Sequence, residues 1–143
     1  MAGCYEEDRR MGCWRMLDEQ GRLRAVLHFK KGSKDGAQAY WNERHVLVRL
    51  EHFKMGVPNG QLLKFYDDGA PEQWSTFQNG VMEGAHYHWW RQGDRPTSAL
   101  VGWFSGGQNT GEWIEMTPDH QIIWQAIFRD GRVVRTIVAR KKF

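Results

Sequence analysis

The sequence predicts an all-β protein: an elongated, single-layer antiparallel sheet of tandem hairpins, each about twenty-four residues long. Three aligned columns carry this prediction. Gly12, Gly36, Gly60 and Gly84 stand twenty-four residues apart, and Gly111 follows after a three-residue slip. Gly32, Gly56, Gly80, Gly107 and Gly131 form a second column that runs four residues before the next member of the first. Phe29, Phe53, Phe77, Phe104 and Phe128 run three residues before the second. All three columns slip together between Gly84 and Phe104, so one insertion near 94–97 explains every irregularity.

Taken in order, Tyr5, Asp8 and Gly12 form a degenerate first copy, with Asp in the place of the first glycine. DEQG, ending at Gly21, marks a turn, and RLRAVLHF then leads as a strand into the first full signature, FKKGSKDG. His45 takes the next turn position, HVLVRLEHF follows, and FKMGVPNG is the second signature. YDDG at Gly69 and WRQG at Gly93 flank the third, FQNGVMEG. FSGGQNTG is the fourth, followed by a turn at His120, the run HQIIWQAIF and a last partial copy at Phe128 and Gly131, with Arg135 in place of the second glycine. Turns about every twelve residues between short apolar runs are the pattern of consecutive hairpins, and glycine supplies the positive φ that their tips require. The repeats fill residues 5 to 139 within one domain spanning 1–143, ending in a basic strand and tail over 129–143. Leu17, Trp41, Phe65, Trp89 and Met116, five residues beyond each second glycine, are expected to form a buried column beside the phenylalanines. Phe77 is expected to be costly to truncate if it is fully buried.

Composition limits the function. The chain has 143 residues, 41% hydrophobic and 26% charged, with 8 Trp and 7 Phe, which suits one soluble domain of aromatic strands. No apolar run approaches the length of a membrane span and MAGCYEEDRR lacks a signal peptide's apolar stretch, so a cytoplasmic protein is expected. Cys4 and Cys13 form no CxxC pair and are expected as reduced thiols. His86 and His88 share one strand face next to Trp90 and would need a third ligand, such as His120 or Glu83, to hold a metal. His28 and His52 share one repeat position, which marks them as structural. Asp67 and Asp68 fit turn chemistry, and neither they nor Glu6 and Glu7 resemble carboxylates facing across a cleft. There is no nucleophile elbow and no phosphate loop, so we expect no enzyme, no metal and no cofactor.

The repeat resembles the MORN family, in particular the bacterial YwqK-like variant described as antitoxins. The resemblance rests on the aromatic and two glycine columns, on Trp14 and Trp113 two residues after their glycine, and on the pairs Tyr40 with Trp41 and Trp89 with Trp90. It covers nearly the whole chain, departing at His45, His120 and the insertion after Gly93. It implies a curved sheet with one face available to a partner; its functions are carried over only as analogy.

A single layer cannot cover both of its faces, so some of Trp14, Trp74, Tyr87, Trp90, Trp103 and Trp113 should be exposed. Trp14, Tyr87, Trp90, Arg91, Trp103 and Trp113 are the expected partner-binding residues, with Arg95 and His88 flanking them. The expected function is a non-catalytic module that occludes a protein partner: an antitoxin or immunity protein acting on a toxin, or a phage-encoded inhibitor of a bacterial defence or effector complex, such as an anti-CRISPR. The alternative is an anionic ligand, nucleic acid or phospholipid, held by Arg132, Arg135, Arg140, Lys141 and Lys142 and by aromatic platforms. The same cations also suit a merely solvated final strand. Open strands at both ends of the sheet suggest edge-to-edge dimerisation.

Overall fold

Five hairpin tips share one backbone conformation. At Lys31–Gly32, Met55–Gly56, Asn79–Gly80, Gly106–Gly107 and Asp130–Gly131 both residues have positive φ, about 50° to 58° at the first and 78° to 87° at the second. That is the type I′ turn, whose twist matches the strands it joins and which favours glycine at its second position. The opposite ends of the hairpins use a longer turn. The amide of Gly21 donates to the Asp18 carbonyl and that of Asp18 to the Arg22 carbonyl, and the same pairing recurs at Asn42–Val46, Tyr66–Ala70 and Thr117–Gln121. His45 and His120, each at φ 65°, occupy the left-handed place that Gly21 and Gly69 fill elsewhere.

In the computed structural model, which describes residues 2–6 and 9–140, these turns join thirteen strands. They are β1 (Ala2–Glu6), β2 (Arg9–Leu17), β3 (Leu23–Lys30), β4 (Ser33–Lys34), β5 (Gly36–Trp41), β6 (Leu47–Lys54), β7 (Val57–Phe65), β8 (Pro71–Gln78), β9 (Val81–Gln92), β10 (Arg95–Ser105), β11 (Gln108–Met116), β12 (Ile122–Arg129) and β13 (Arg132–Ala139). The sheet is antiparallel, runs in sequence order with β4 paired to β3, and is not closed into a barrel. The fold class is therefore the expected one. No helix among the described residues is long and apolar enough to cross a membrane. The residues around the slip extend β9 and β10, the two longest strands, which meet at a tight turn with Arg95 opposite Gln92.

Each second glycine lies at an irregularity. On β7, Asn59, Gly60 and Gln61 stand against His52 alone, between the pairs Phe53–Pro58 and Glu51–Leu62. This bulge restores the register after every tip, so equivalent residues of successive repeats fall in rows across the sheet.

Directly opposed residues share a face, so the register sorts the side chains. One row holds the opposed pairs Gly36–Phe53 and Gly60–Phe77 on either side of that bulge. A second, two residues along on the same face, reads Gln38, Glu51, Leu62, Ser75, His86, Gly102. All buried residues among those described, including Trp14, Leu27, Phe29, Ser98, Trp113, Glu115 and Ala126, fall on this face. We call it the crowded face and the other the open face.

Leu17, Trp41, Phe65, Trp89 and Met116 do not form the expected buried column beside the phenylalanines. Its members stand an odd number of residues beyond the glycine, which in a strand means the opposite face from the Phe row. Trp41, Phe65, Trp89 and Met116 are half-buried on or beside the open face, and Leu17 is 56% exposed. Phe77 is half-buried as well, so the condition attached to its truncation is not met.

Candidate binding faces

The crowded face is packed sideways, ring against ring along the rows. The Trp113 indole lies between Phe104, 5.0 Å away and edge-on, and Phe128 at 5.9 Å. It also covers Gly102 so closely that a Cβ there would come within 2.0 Å of Cδ2. Its Nε1 donates to the Trp103 carbonyl at 3.2 Å. At the other end, Trp14 meets the Phe29 edge at 6.2 Å, donates to the Met11 carbonyl, and lies under the Arg10 guanidinium. Both indoles are only 3% exposed. Trp14 and Trp113 thus hold the sheet together and are not exposed partner-binding residues. Burying each contributes much of what an aromatic side chain can give.

The middle of this face is polar, and its buried groups are satisfied, as burial demands. Gln38, fully buried, donates to the His28 carbonyl and accepts from its amide, pinning β5 to β3. Gln73 Nε2 donates to Ser75 Oγ, and Ser75 Oγ stands 2.8 Å from His86 Nδ1. His86 rests on Phe104 and Trp113. Burial lowers its pKa, and the neighbouring His88 charge adds to that. Burial lowers His88 as well, with Glu72 opposing and Lys64 reinforcing. Ser98 donates to Glu115 at 2.7 Å. His86 and His88 do share a face, His88 against the Trp90 ring at 4.5 Å. Among the described residues no three His, Cys, Asp or Glu side chains gather as a metal site. His28 and His52 bond through Nδ1 to the carbonyls of Ala37 and Gln61 across the strand, a bracing role. Asp68 accepts from the Ala70 amide, as turn chemistry requires.

The open face carries a different aromatic set. Trp74 and Tyr87, opposed on β8 and β9, stack at 5.1 Å with 12° between planes, and Trp89 continues the stack at 5.7 Å and 11°. Trp74 Nε1 is shielded from solvent and has no hydrogen-bond partner among the described residues, an uncompensated cost on this face. Trp103, on the same face opposite Ala85 and Thr110, is 53% exposed. Arg91 borders the stack. Its guanidinium sits 3.9 Å above the Tyr66 ring and bonds Asp68, while Tyr66 Oη donates to the Trp89 carbonyl at 2.6 Å.

The six expected partner-binding residues therefore divide. Tyr87, Arg91 and Trp103 share the open face, with Arg91 six residues along β9 from Ala85, the residue opposite Trp103, whereas Trp14, Trp90 and Trp113 lie on the crowded one. Of these last three only Trp90 is exposed, at 37%. Sequence reasoning omitted Trp74 and Trp89 from the site. Their signal was available, because Trp74 is three residues before Phe77 and Trp89 five beyond Gly84, both odd offsets.

At the basic end Arg132, Arg135 and Arg140 are exposed, as is Arg129 opposite Arg132, while Lys141 and Lys142 lie outside the described residues. β13 is interrupted twice: its register against β12 leaves Val134 and Ile137 as extra residues, 55% and 46% exposed. Bulges and charges of this kind blunt an edge strand. They oppose the continuous edge-to-edge pairing expected at this end. Cys13 is a free, exposed thiol, and the Cys4 side chain lies outside the described residues. No protein-family model matches the chain, and the search of curated proteins finds no match.

Proposed function

We propose that this chain is a non-catalytic protein-binding module of MORN type that works in the cytoplasm by occluding a partner, such as a toxin or a bacterial defence complex. The observation that carries the reading is Trp103. A large indole, 53% exposed, shares an uncovered sheet face with the Trp74–Tyr87–Trp89 stack, in the longest hairpin of the sheet. Rigid aromatics beside an arginine held in place are the usual material of a binding hot spot. Occlusion also requires no reacting groups, and the buried Ser75–His86 pair serves packing here, since Ser75 is 0% exposed. The test is affinity capture from host lysate with wild type and Trp103→Ala, with and without nuclease. A stoichiometric protein that survives nuclease and is lost with the indole supports the reading, and equal capture by both proteins counts against it.

A second reading, binding of nucleic acid or anionic lipid, is favoured by Arg132, Arg135 and Arg140, exposed and without an ion-pair partner among the described residues. Removal of 140–143 should abolish such binding, which should also weaken steeply with salt.

A further inference from the structure

The position two residues after each second glycine holds Trp14, Gln38, Leu62, His86 and Trp113 in successive repeats. At both ends of the crowded face this position provides an indole that packs against the Phe row, and in the centre it provides Leu62. What the centre has instead is a cavity of about 140 Å³, lined by Phe53, Leu62, Phe77, Pro58, Arg49 and Glu51. From this we propose that the central cleft of the crowded face is a docking site for an aromatic side chain of an acidic segment in a protein partner. The proposal rests on the reading of the chain as a protein-binding module but concerns the opposite face.

The occupant is argued from two observations. First, the sheet shows twice what fills this position when it is filled: Trp14 set against Phe29, and Trp113 between Phe104 and Phe128. Phe53 and Phe77, with the smaller Leu62 beside them, offer a guest ring the same kind of wall. Second, the rim has an excess of positive charge, with Arg49 and Lys64 against the single carboxylate of Glu51. Arg49 on β6 and Lys64 on β7 are direct cross-strand neighbours on this face. Like charges so placed repel unless something intervenes. Arg49 is tied to Glu51 on its own strand, by Nη2 at 2.9 Å and Nε at 3.1 Å. Lys64 makes no ion pair among the described residues, and its charge reaches His88 two strands away. A carboxylate next to the inserted ring would give Lys64 the kind of partner that Glu51 gives Arg49, which favours an acidic segment over a basic or neutral one.

The probe is a short synthetic peptide with one tryptophan flanked by acidic residues, titrated into the isotopically labelled full chain and followed by NMR. We expect saturable binding that moves the Leu62 methyl and Phe77 ring resonances. The peptide with alanine for tryptophan, and the one with lysines for the acids, should bind at least tenfold more weakly. Leu62→Trp, which supplies the missing indole from within, should weaken binding at least tenfold. Should that variant fail to fold, Lys64→Glu, on the rim, should still weaken it at least fivefold. Absence of saturable binding, equal binding of the lysine peptide, indifference to Lys64→Glu, or tighter occupation of the cleft by a short single-stranded oligonucleotide would each overturn the proposal. Any of these could occur while Trp103-dependent capture of a partner stays intact, so the two ideas fail separately.

Discussion

Trp113 and Trp103 belong to adjacent strands of one hairpin and are joined by a hydrogen bond, yet one is 3% and the other 53% exposed. They stand on opposite faces. The crowded face buries Trp113 by packing rows of rings and closely matched small residues such as Gly102 and Ala126 side by side. On the open face Trp103 has only short neighbours, Ala85 and Thr110, directly across from it. In a sheet with no second layer, burial comes from lateral packing along one face, and residue type alone does not decide which indole is structural and which is presented.

The largest effect expected from this difference is at Trp113. Its replacement by alanine should cost about 3–5 kcal/mol in urea unfolding, as for other buried aromatics. A loss below about 1 kcal/mol would mean that the crowded face is not the core. Gly102→Ala tests the same packing from the other side. A methyl group forced against the Trp113 indole should cost about 1–3 kcal/mol through displacement of the ring, whereas the same change at solvent-open Gly93, a turn residue, should leave the Trp113 fluorescence unaltered.

Acid should affect the two faces unequally. His86 and His88 on the crowded face are both held below their ordinary 6.5, chiefly by burial. The unfolded chain therefore takes up protons first as the pH falls. Their contribution to stability is whole well above 6.5 and is lost as the pH drops through 6.5 toward the lowered native values. Urea midpoints measured across that range should decline toward acid, and His86→Gln should flatten the decline. A smaller effect, independent of either face, lies in the turns. His120 holds a left-handed conformation that glycine adopts freely, so His120→Gly should raise stability by about 0.5–1 kcal/mol. The smallest change in stability is expected at Trp103, where alanine should alter it by no more than about 0.5 kcal/mol.

The turns were legible in the sequence because their backbone demands a residue type. Positive φ at the second residue of all five tips leaves a glycine record that strand residues do not leave, although the first residue is glycine only at Gly106. The faces were harder to read. Runs such as LLKFY and YHWW place bulky residues on both faces of one strand, and the bulge at each second glycine breaks simple alternation within the strand. Counting from the glycine rather than along the run would have solved it. Trp14 and Trp113 stand at an even offset and are buried, while Trp103 shares with His28 and His52 the place just before the phenylalanine, which faces the other way. The cleft at Leu62 was legible only as a leucine where the end copies carry Trp14 and Trp113, since a cavity of about 140 Å³ becomes visible only when neighbouring repeats are set side by side in space.

The most direct test of the open face as the presented one is to measure, on the captured partner, its affinity for wild type and for Trp103→Ala together with both melting temperatures. The substitution should weaken binding by about tenfold or more, the mark of a hot-spot residue, with the melting temperature unchanged. Equal affinities, or a loss of binding matched by a comparable loss of stability, would contradict the assignment of the open face as the one presented to the partner.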